Sequence, residues 1–185
     1  MALMPSFGRF PDEAAIIGEL ILAYGELEVL LMLCVSAVLN NRARAIEALY
    51  RQRGEKARAK HGEELTYEQY RAVDLGEVHK ETMDALGNCR KIRNRYAHCQ
   101  WEDRQADGLF FTNLEEDYSS KGKEGDWTHV DLQFLKSQRQ YFIYTRELLN
   151  YLEDAYKIKV GSLLFPIFSR PERQLPPKPR NLGST

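Results

Sequence analysis

A long apolar stripe near the start of the chain constrains the fold more than any other feature. Over residues 12–40 the apolar side chains recur at steps of three and four, as they do along one side of a helix: Ile16, Ile17, Leu20, Ile21, Tyr24, Leu27, Leu31, Cys34, Val35 and Val38. Pro11, Asp12 and Glu13 suit a helix start, because proline fits the first turn and acids favour the positive end of the helix dipole. The stripe is wide, so we predict one long helix that packs against more than one neighbour.

Helical periodicity continues through most of the remaining chain. We predict further helices over residues 42–60, 75–98 and 131–156, and a loop with a short helical piece over residues 61–74. Together these segments predict an all-α fold, an up-and-down bundle of about four to five helices.

One region breaks the helical pattern between the last two predicted helices. It contains the β-prone run Leu109–Thr112 and a stretch rich in Gly, Ser and Lys over residues 119–125. We predict a short β-hairpin or loop insertion around residues 100–130, with a flexible turn at 119–125.

The C-terminal part of the chain is apolar first and then rich in proline. Residues 163–168 are predicted to form a short packed segment, and four prolines with several basic residues follow. We therefore predict a helical domain over residues 1–165 and a Pro-rich basic tail over residues 166–185 that is extended or disordered.

Composition narrows the class of protein. The 185 residues are 43% apolar and 29% charged, the balance of one soluble globular domain large enough to bury a core. The net charge of −1 excludes attraction of the whole chain to nucleic acid, so any anion-binding surface must be local. The longest uncharged run, residues 29–41, is too short to span a bilayer, and Asp12 and Glu13 interrupt any secretory signal. We predict a cytoplasmic protein without a membrane partner.

The three cysteines, Cys34, Cys89 and Cys99, form no Cys-x-x-Cys pair. Such a sparse set indicates reduced thiols, with Cys34 and Cys89 buried as small hydrophobic residues. A metal site built from Cys89, His98 and Cys99 matches no usual ligand spacing. The sequence predicts neither a metal nor a cofactor.

The candidate chemistry lies in the stretch Arg93-Asn94-Arg95-Tyr96-Ala97-His98, where the third predicted helix ends. A guanidinium binds phosphate oxygens through two parallel hydrogen bonds, and an imidazole exchanges a proton near neutral pH. Residues five apart on a helix point about 140° apart, so Arg93 and His98 should not share a face, whereas Asn94 and His98 should. The two groups can act together only if the helix loosens, if Arg93 reaches around, or if two subunits combine.

Arg93 falls on the apolar side of its helix, between residues such as Cys89 and Tyr96. An unpaired guanidinium is costly to bury, so this face is expected to meet a carboxylate or a second subunit.

Basic residues concentrate in two places. Residues 42–60 carry seven cations and two acids, a local charge of +5, which indicates a solvated face or an electrostatic track for a phosphate backbone. Arg90, Lys91 and Arg95 surround the motif and are the predicted nucleic-acid-binding residues.

Arg93-Asn94 followed by His98, at the end of a helix, resembles the motif of the HEPN superfamily (higher eukaryotes and prokaryotes nucleotide-binding domains), whose members are small helical bundles. The order of predicted helices over about residues 12–156 is also similar. The resemblance implies a metal-independent endoribonuclease, active as a toxin or in defence, that pairs two motifs across a homodimer. It implies His98 as general base or acid and Arg93 as the group that stabilises charge on the phosphate. It implies that Asn94 either orients one of these two residues or hydrogen-bonds the phosphate. A cognate antitoxin is a further possible partner under this resemblance.

Two other interpretations remain open. Some branches of such a family keep the fold without the chemistry, which would make this a non-catalytic RNA-binding, nucleotide-binding or protein-interaction module. Alternatively, it is a helical interaction protein without a ligand, in which His98 caps its helix and Arg93 pairs with Glu19 or Glu26.

Overall fold

The fold is seen in a computed structural model that describes residues 4–113 and 127–178. In this part of the chain there are five α-helices: α1 (Pro11–Leu39), α2 (Arg42–Tyr50), α3 (Glu55–Ala72), α4 (Gly76–Ala97) and α5 (Leu132–Lys159). Between α4 and α5 lie three strands: β1 (Gln100–Asp103), β2 (Leu109–Thr112) and β3 (Thr128–Val130). The prediction of a mostly helical fold is confirmed, with a small antiparallel sheet added to it.

Helix α1 is the central element of the core. It contacts each of the other four α-helices, most extensively α5. Its side chains Leu20 and Val35 are completely buried, and it ends where Asn40 adopts a left-handed conformation. The prediction that this helix packs against several neighbours is confirmed. Cys34 and Cys89 are buried as predicted, and both are free thiols.

The predicted single helix over residues 42–60 is wrong, and so is the predicted loop over 61–74. The chain turns after Tyr50, Gly54 takes a positive φ of 86°, and α3 then runs to Ala72. The buried residues of α3 are Gly62, Thr66 and Tyr70, spaced four apart. Because none of them is aliphatic, the usual periodicity of a buried helix face is hard to recognise there.

Helices α4 and α5 agree with the predicted segments to within a few residues. Helix α5 begins where the Asp131 carboxylate accepts a hydrogen bond from the Phe134 amide at 2.6 Å, a typical N-cap. Its Leu135 and Leu148 side chains are fully buried in the core shared with α1 and α4.

The insertion between α4 and α5 is a three-stranded antiparallel sheet of order β1-β2-β3. Leu109–Thr112 is a strand as predicted, and Trp101 of β1 pairs with Phe111 of β2. Trp101 also packs on Phe7 and Tyr96, which fixes the sheet against the end of α4. The predicted turn at 119–125 lies outside the described residues.

The predicted packing of residues 163–168 is wrong. The side chains of Leu164, Phe165 and Ile167 are between 71% and 83% exposed. This stretch is held by its backbone, because the Ile167 and Phe168 amides both donate to Asp154 Oδ2, at 2.8 and 2.9 Å. Beyond it, Arg170 pairs with Glu81 at 2.7 Å.

Helix α1 is long and apolar enough to cross a bilayer by length and composition. It contains an 18-residue window of mean hydropathy 1.9 with no more than two charged residues. The prediction from sequence rested on the longest uncharged run, residues 29–41, which is too short to span a bilayer. That count ends at the first charged residue, whereas the 18-residue window accepts up to two. Core helices of soluble proteins meet the same two criteria, so the finding does not by itself place α1 in a membrane.

Candidate functional site

The motif lies where α4 ends and the chain turns into the sheet. Helix α4 stops at Ala97, and the His98 amide still donates to the Asn94 carbonyl at 3.2 Å. The imidazole of His98 is exposed, and within residues 4–113 and 127–178 it has no hydrogen bond or ion pair. A free, exposed imidazole at a helix end can reach a substrate.

Arg93 is held by two acceptors. Its Nη1 atom donates to Asn94 Oδ1 at 2.9 Å and lies 3.1 Å from Glu55 Oε1 at the start of α3. The side chains of Arg93 and Glu55 are 27% and 21% exposed, so this ion pair is partly shielded from water. Arg93 Nε is buried and has no acceptor among the described residues. Of the two predicted partners of this helix face, a carboxylate or a second subunit, the carboxylate is confirmed.

The expected partners of Arg93, Glu19 or Glu26, were wrong. Glu19 pairs with Arg139 of α5 at 3.1 Å, and Glu26 forms no ion pair among the described residues. A third acid of α1, Glu28, pairs with Arg58 of α3 at 2.9 Å. The hydrogen bonds that Arg58 donates to Glu28 raise the pKa of Arg58. The partner of Arg93 is instead Glu55, which favours the first turn of α3 because of the helix dipole.

Arg93 and His98 are not joined directly. In the described part of the chain no hydrogen bond or ion pair connects their side chains, as their spacing along a helix predicted. Asn94 lies between them in sequence: its side chain accepts from Arg93, and its backbone carbonyl accepts from the His98 amide. A single chain therefore brings Arg93 and Asn94 together and leaves His98 separate.

A cleft of about 500 Å³ opens between the start of α3 and the end of α4. Its lining consists of Arg53, Gly54, Glu55, Lys56, Ala57, Lys60, Arg90 and Asn94. Four of these residues are cations, and the only acid is the one that pairs with Arg93. The cleft is therefore positively charged and adjoins the motif through Asn94.

The predicted nucleic-acid-binding residues do not converge. Arg90 lines the basic cleft, whereas Lys91 lines a separate groove with Glu81, Tyr144 and the C-terminal segment. Arg95 is half-buried and lines neither of these two. Consecutive helix positions point about 100° apart, so Arg90 and Lys91 cannot face one site.

Sequence reasoning missed Glu55 as a part of the site. Tyr24 of α1 is 2% exposed, and its hydroxyl has no partner among the described residues. Burial raises the pKa of this hydroxyl, and the charges of Glu28 and Glu55 raise it further, while Arg90 lowers it. Tyr24 belongs to the hydrophobic core and does not line the cleft. The +5 charge of residues 42–60 indicated a basic surface there. No sequence pattern predicted that its cations would lie beside α4.

Within the described ranges, no group of three or more His, Cys, Asp or Glu side chains could hold a metal ion. No protein-family model, curated protein or solved structure matches this chain. The residues and their geometry are therefore the basis for any functional assignment.

Proposed function

We propose that this protein is a HEPN-like endoribonuclease that cleaves RNA without a metal ion. One observation carries the proposal: the motif residues Arg93 and Asn94 are in contact at the end of α4, and Asn94 lines a cleft dominated by cations. An oriented guanidinium beside a positive cleft suits a phosphodiester, and the exposed imidazole of His98 supplies proton transfer at the same helix end.

In the proposed reaction, His98 takes the proton from a ribose 2′-hydroxyl. The 2′-oxygen then bonds to the adjacent phosphorus, and the bond from phosphorus to the 5′-oxygen breaks. The leaving 5′-oxygen takes a proton from solvent water and His98 later returns its proton to solvent, which gives a 2′,3′-cyclic phosphate and a 5′-hydroxyl. Arg93 stabilises the negative charge that builds up on the phosphate, and Asn94 orients the guanidinium.

The proposed active form is a homodimer in the cytoplasm. Arg93 and His98 of one chain are not connected, so a second copy would supply the missing half of each site. The wider role as a toxin or defence protein with a cognate antitoxin belongs to the same proposal and rests on the motif alone.

The test is RNA cleavage by the purified protein in the presence of a chelator. We expect His98→Ala to reduce the cleavage rate by about 10²–10⁴-fold, the usual contribution of a general acid or base, with unchanged folding. His61→Ala, which removes an imidazole from α3 outside the motif, should cut as the wild type does. Equal cutting by the His98 variant would refute the proposal.

A second candidate is an RNA-binding module without catalysis. It is favoured by the fact that Arg93 is already engaged by Glu55 and Asn94 while His98 stands apart. In that case the protein should bind RNA in a salt-dependent way and leave it uncut, and Arg93→Ala should weaken binding.

A further inference from the structure

The basic cleft has a charge distribution that the motif alone does not require. Arg53 lies in the turn before α3, Lys56 in the first turn of α3 and Lys60 one turn further along, and Arg90 lines the same cleft from α4. Arg53, Lys56 and Arg90 have no carboxylate within ion-pair distance in the described part of the chain. Lys60 lies 3.6 Å from Glu64 on an exposed surface, a contact of little energy.

The acid in the lining offsets only part of this charge. The Glu55 carboxylate is directed to Arg93, so its negative charge is already matched by a cation outside the four. The cleft therefore presents an excess of positive charge within about 500 Å³. Cations held this close repel one another, and an anion between them relieves that repulsion.

We infer that this cleft is a phosphate-binding subsite that holds RNA next to the motif. Arginine and lysine together match the tetrahedral array of phosphate oxygens, and the cleft lies directly beside Asn94. The choice of RNA as the source of the phosphate rests on the proposed function. The phosphate is either an internal diester of the backbone or a terminal monoester.

The experiment measures binding, so that it does not depend on cleavage. The probe is a short, fluorescently labelled 2′-O-methyl RNA, which cannot be cut by 2′-attack, prepared with a 5′-phosphate and with a 5′-hydroxyl. The variant is Arg53→Gln/Lys56→Gln, two exposed side chains without ion pairs in the described residues. The control is Lys80→Gln/Lys136→Gln, which removes the same charge from exposed positions of α4 and α5.

We expect the cleft variant to raise Kd about tenfold or more at about 0.1 M salt, and to reduce the slope of log K against log salt by about 1.4, or roughly 0.7 per lost contact. The control should change Kd less than about twofold. If the cleft variant loses affinity only for the 5′-phosphorylated probe, the subsite binds a terminal phosphate. If it loses affinity equally for both probes, the subsite binds a backbone phosphate.

Unchanged binding by the cleft variant, an equal loss in the control, or no binding of either RNA by the wild type would overturn the subsite. The subsite and the proposed function can fail separately. RNA that is bound through Arg53 and Lys56 but never cut supports the subsite and refutes the ribonuclease. RNA that is cut, with binding unchanged by the substitutions at Arg53 and Lys56, supports the ribonuclease and refutes the subsite.

Discussion

The guanidinium of Arg93 is shared between an acceptor on its own helix and one on α3. Asn94 Oδ1 and Glu55 Oε1 both lie within hydrogen-bonding distance of Nη1, which fixes the group in a half-buried position. The Glu55 carboxylate therefore has two opposing effects. It holds Arg93 in place, and it lowers the positive potential of the cleft that RNA would enter.

Replacing Glu55 by glutamine separates these two effects. We expect Glu55→Gln to lower the free energy of unfolding by about 1 kcal/mol, because a partly shielded ion pair is lost. We expect RNA to bind several-fold more tightly, because one negative charge leaves the cleft. Chemical denaturation and RNA titration measure the two quantities.

Glu47→Gln is the matched control, because Glu47 forms an exposed ion pair with Arg51 and does not line the cleft. It should change neither stability nor RNA affinity appreciably. Weaker RNA binding by Glu55→Gln would contradict the expected gain in affinity.

At the scale of elements, α3 shows where sequence patterns succeed and fail. Helices α1, α4 and α5 were predictable because their buried sides contain aliphatic residues at helical spacing. Helix α3 buries Gly62 and Thr66 instead, and a side chain at Gly62 would lie only 3.3 Å from Leu31 and Leu49. The close approach of α1, α2 and α3 at this glycine is a tertiary feature without a local signal.

A buried histidine connects α3 to α4. His79 is 1% exposed, its Nε2 lies 2.8 Å from Thr66 Oγ1, and its ring stacks on Tyr70. Burial lowers the pKa of His79 from 6.5 to about 4, so the imidazole is neutral in the folded protein at pH 7. No carboxylate within residues 4–113 and 127–178 forms an ion pair with it.

This histidine predicts acid sensitivity between pH 6.5 and 4. The pKa is lower in the folded state, so the unfolded chain takes up the proton first and stability falls as the pH drops through this range. The full effect amounts to roughly 3 kcal/mol. We expect His79→Gln to remove this part of the pH dependence in denaturation curves. Identical slopes for the two proteins between pH 6.5 and 4 would contradict the assignment.

At the scale of the whole molecule, the fold class followed from the sequence and the layout of the site did not. The predicted end of the third helix agrees with the end of α4, where Arg93, Asn94 and His98 lie. The local charge of residues 42–60 indicated a basic surface. The partner of Arg93 depends on where α3 begins, and that start was hidden within a predicted continuous helix. Arg90 and Lys91 were grouped because they are adjacent in sequence, although adjacent helix positions face different directions.

In the described part of the single chain no hydrogen bond or ion pair joins Arg93 to His98, and the proposed mechanism assigns the two groups of one site to two copies of the chain. We would isolate mixed dimers of Arg93→Ala and His98→Ala chains by two affinity tags and measure RNA cleavage in a chelator. If the motifs combine across a two-fold axis, each homodimer is inactive and the mixed dimer keeps one intact site, with about half of the wild-type activity. Mixed dimers as inactive as both parents, or a parent as active as the wild type, would contradict joint action of the two residues across the dimer.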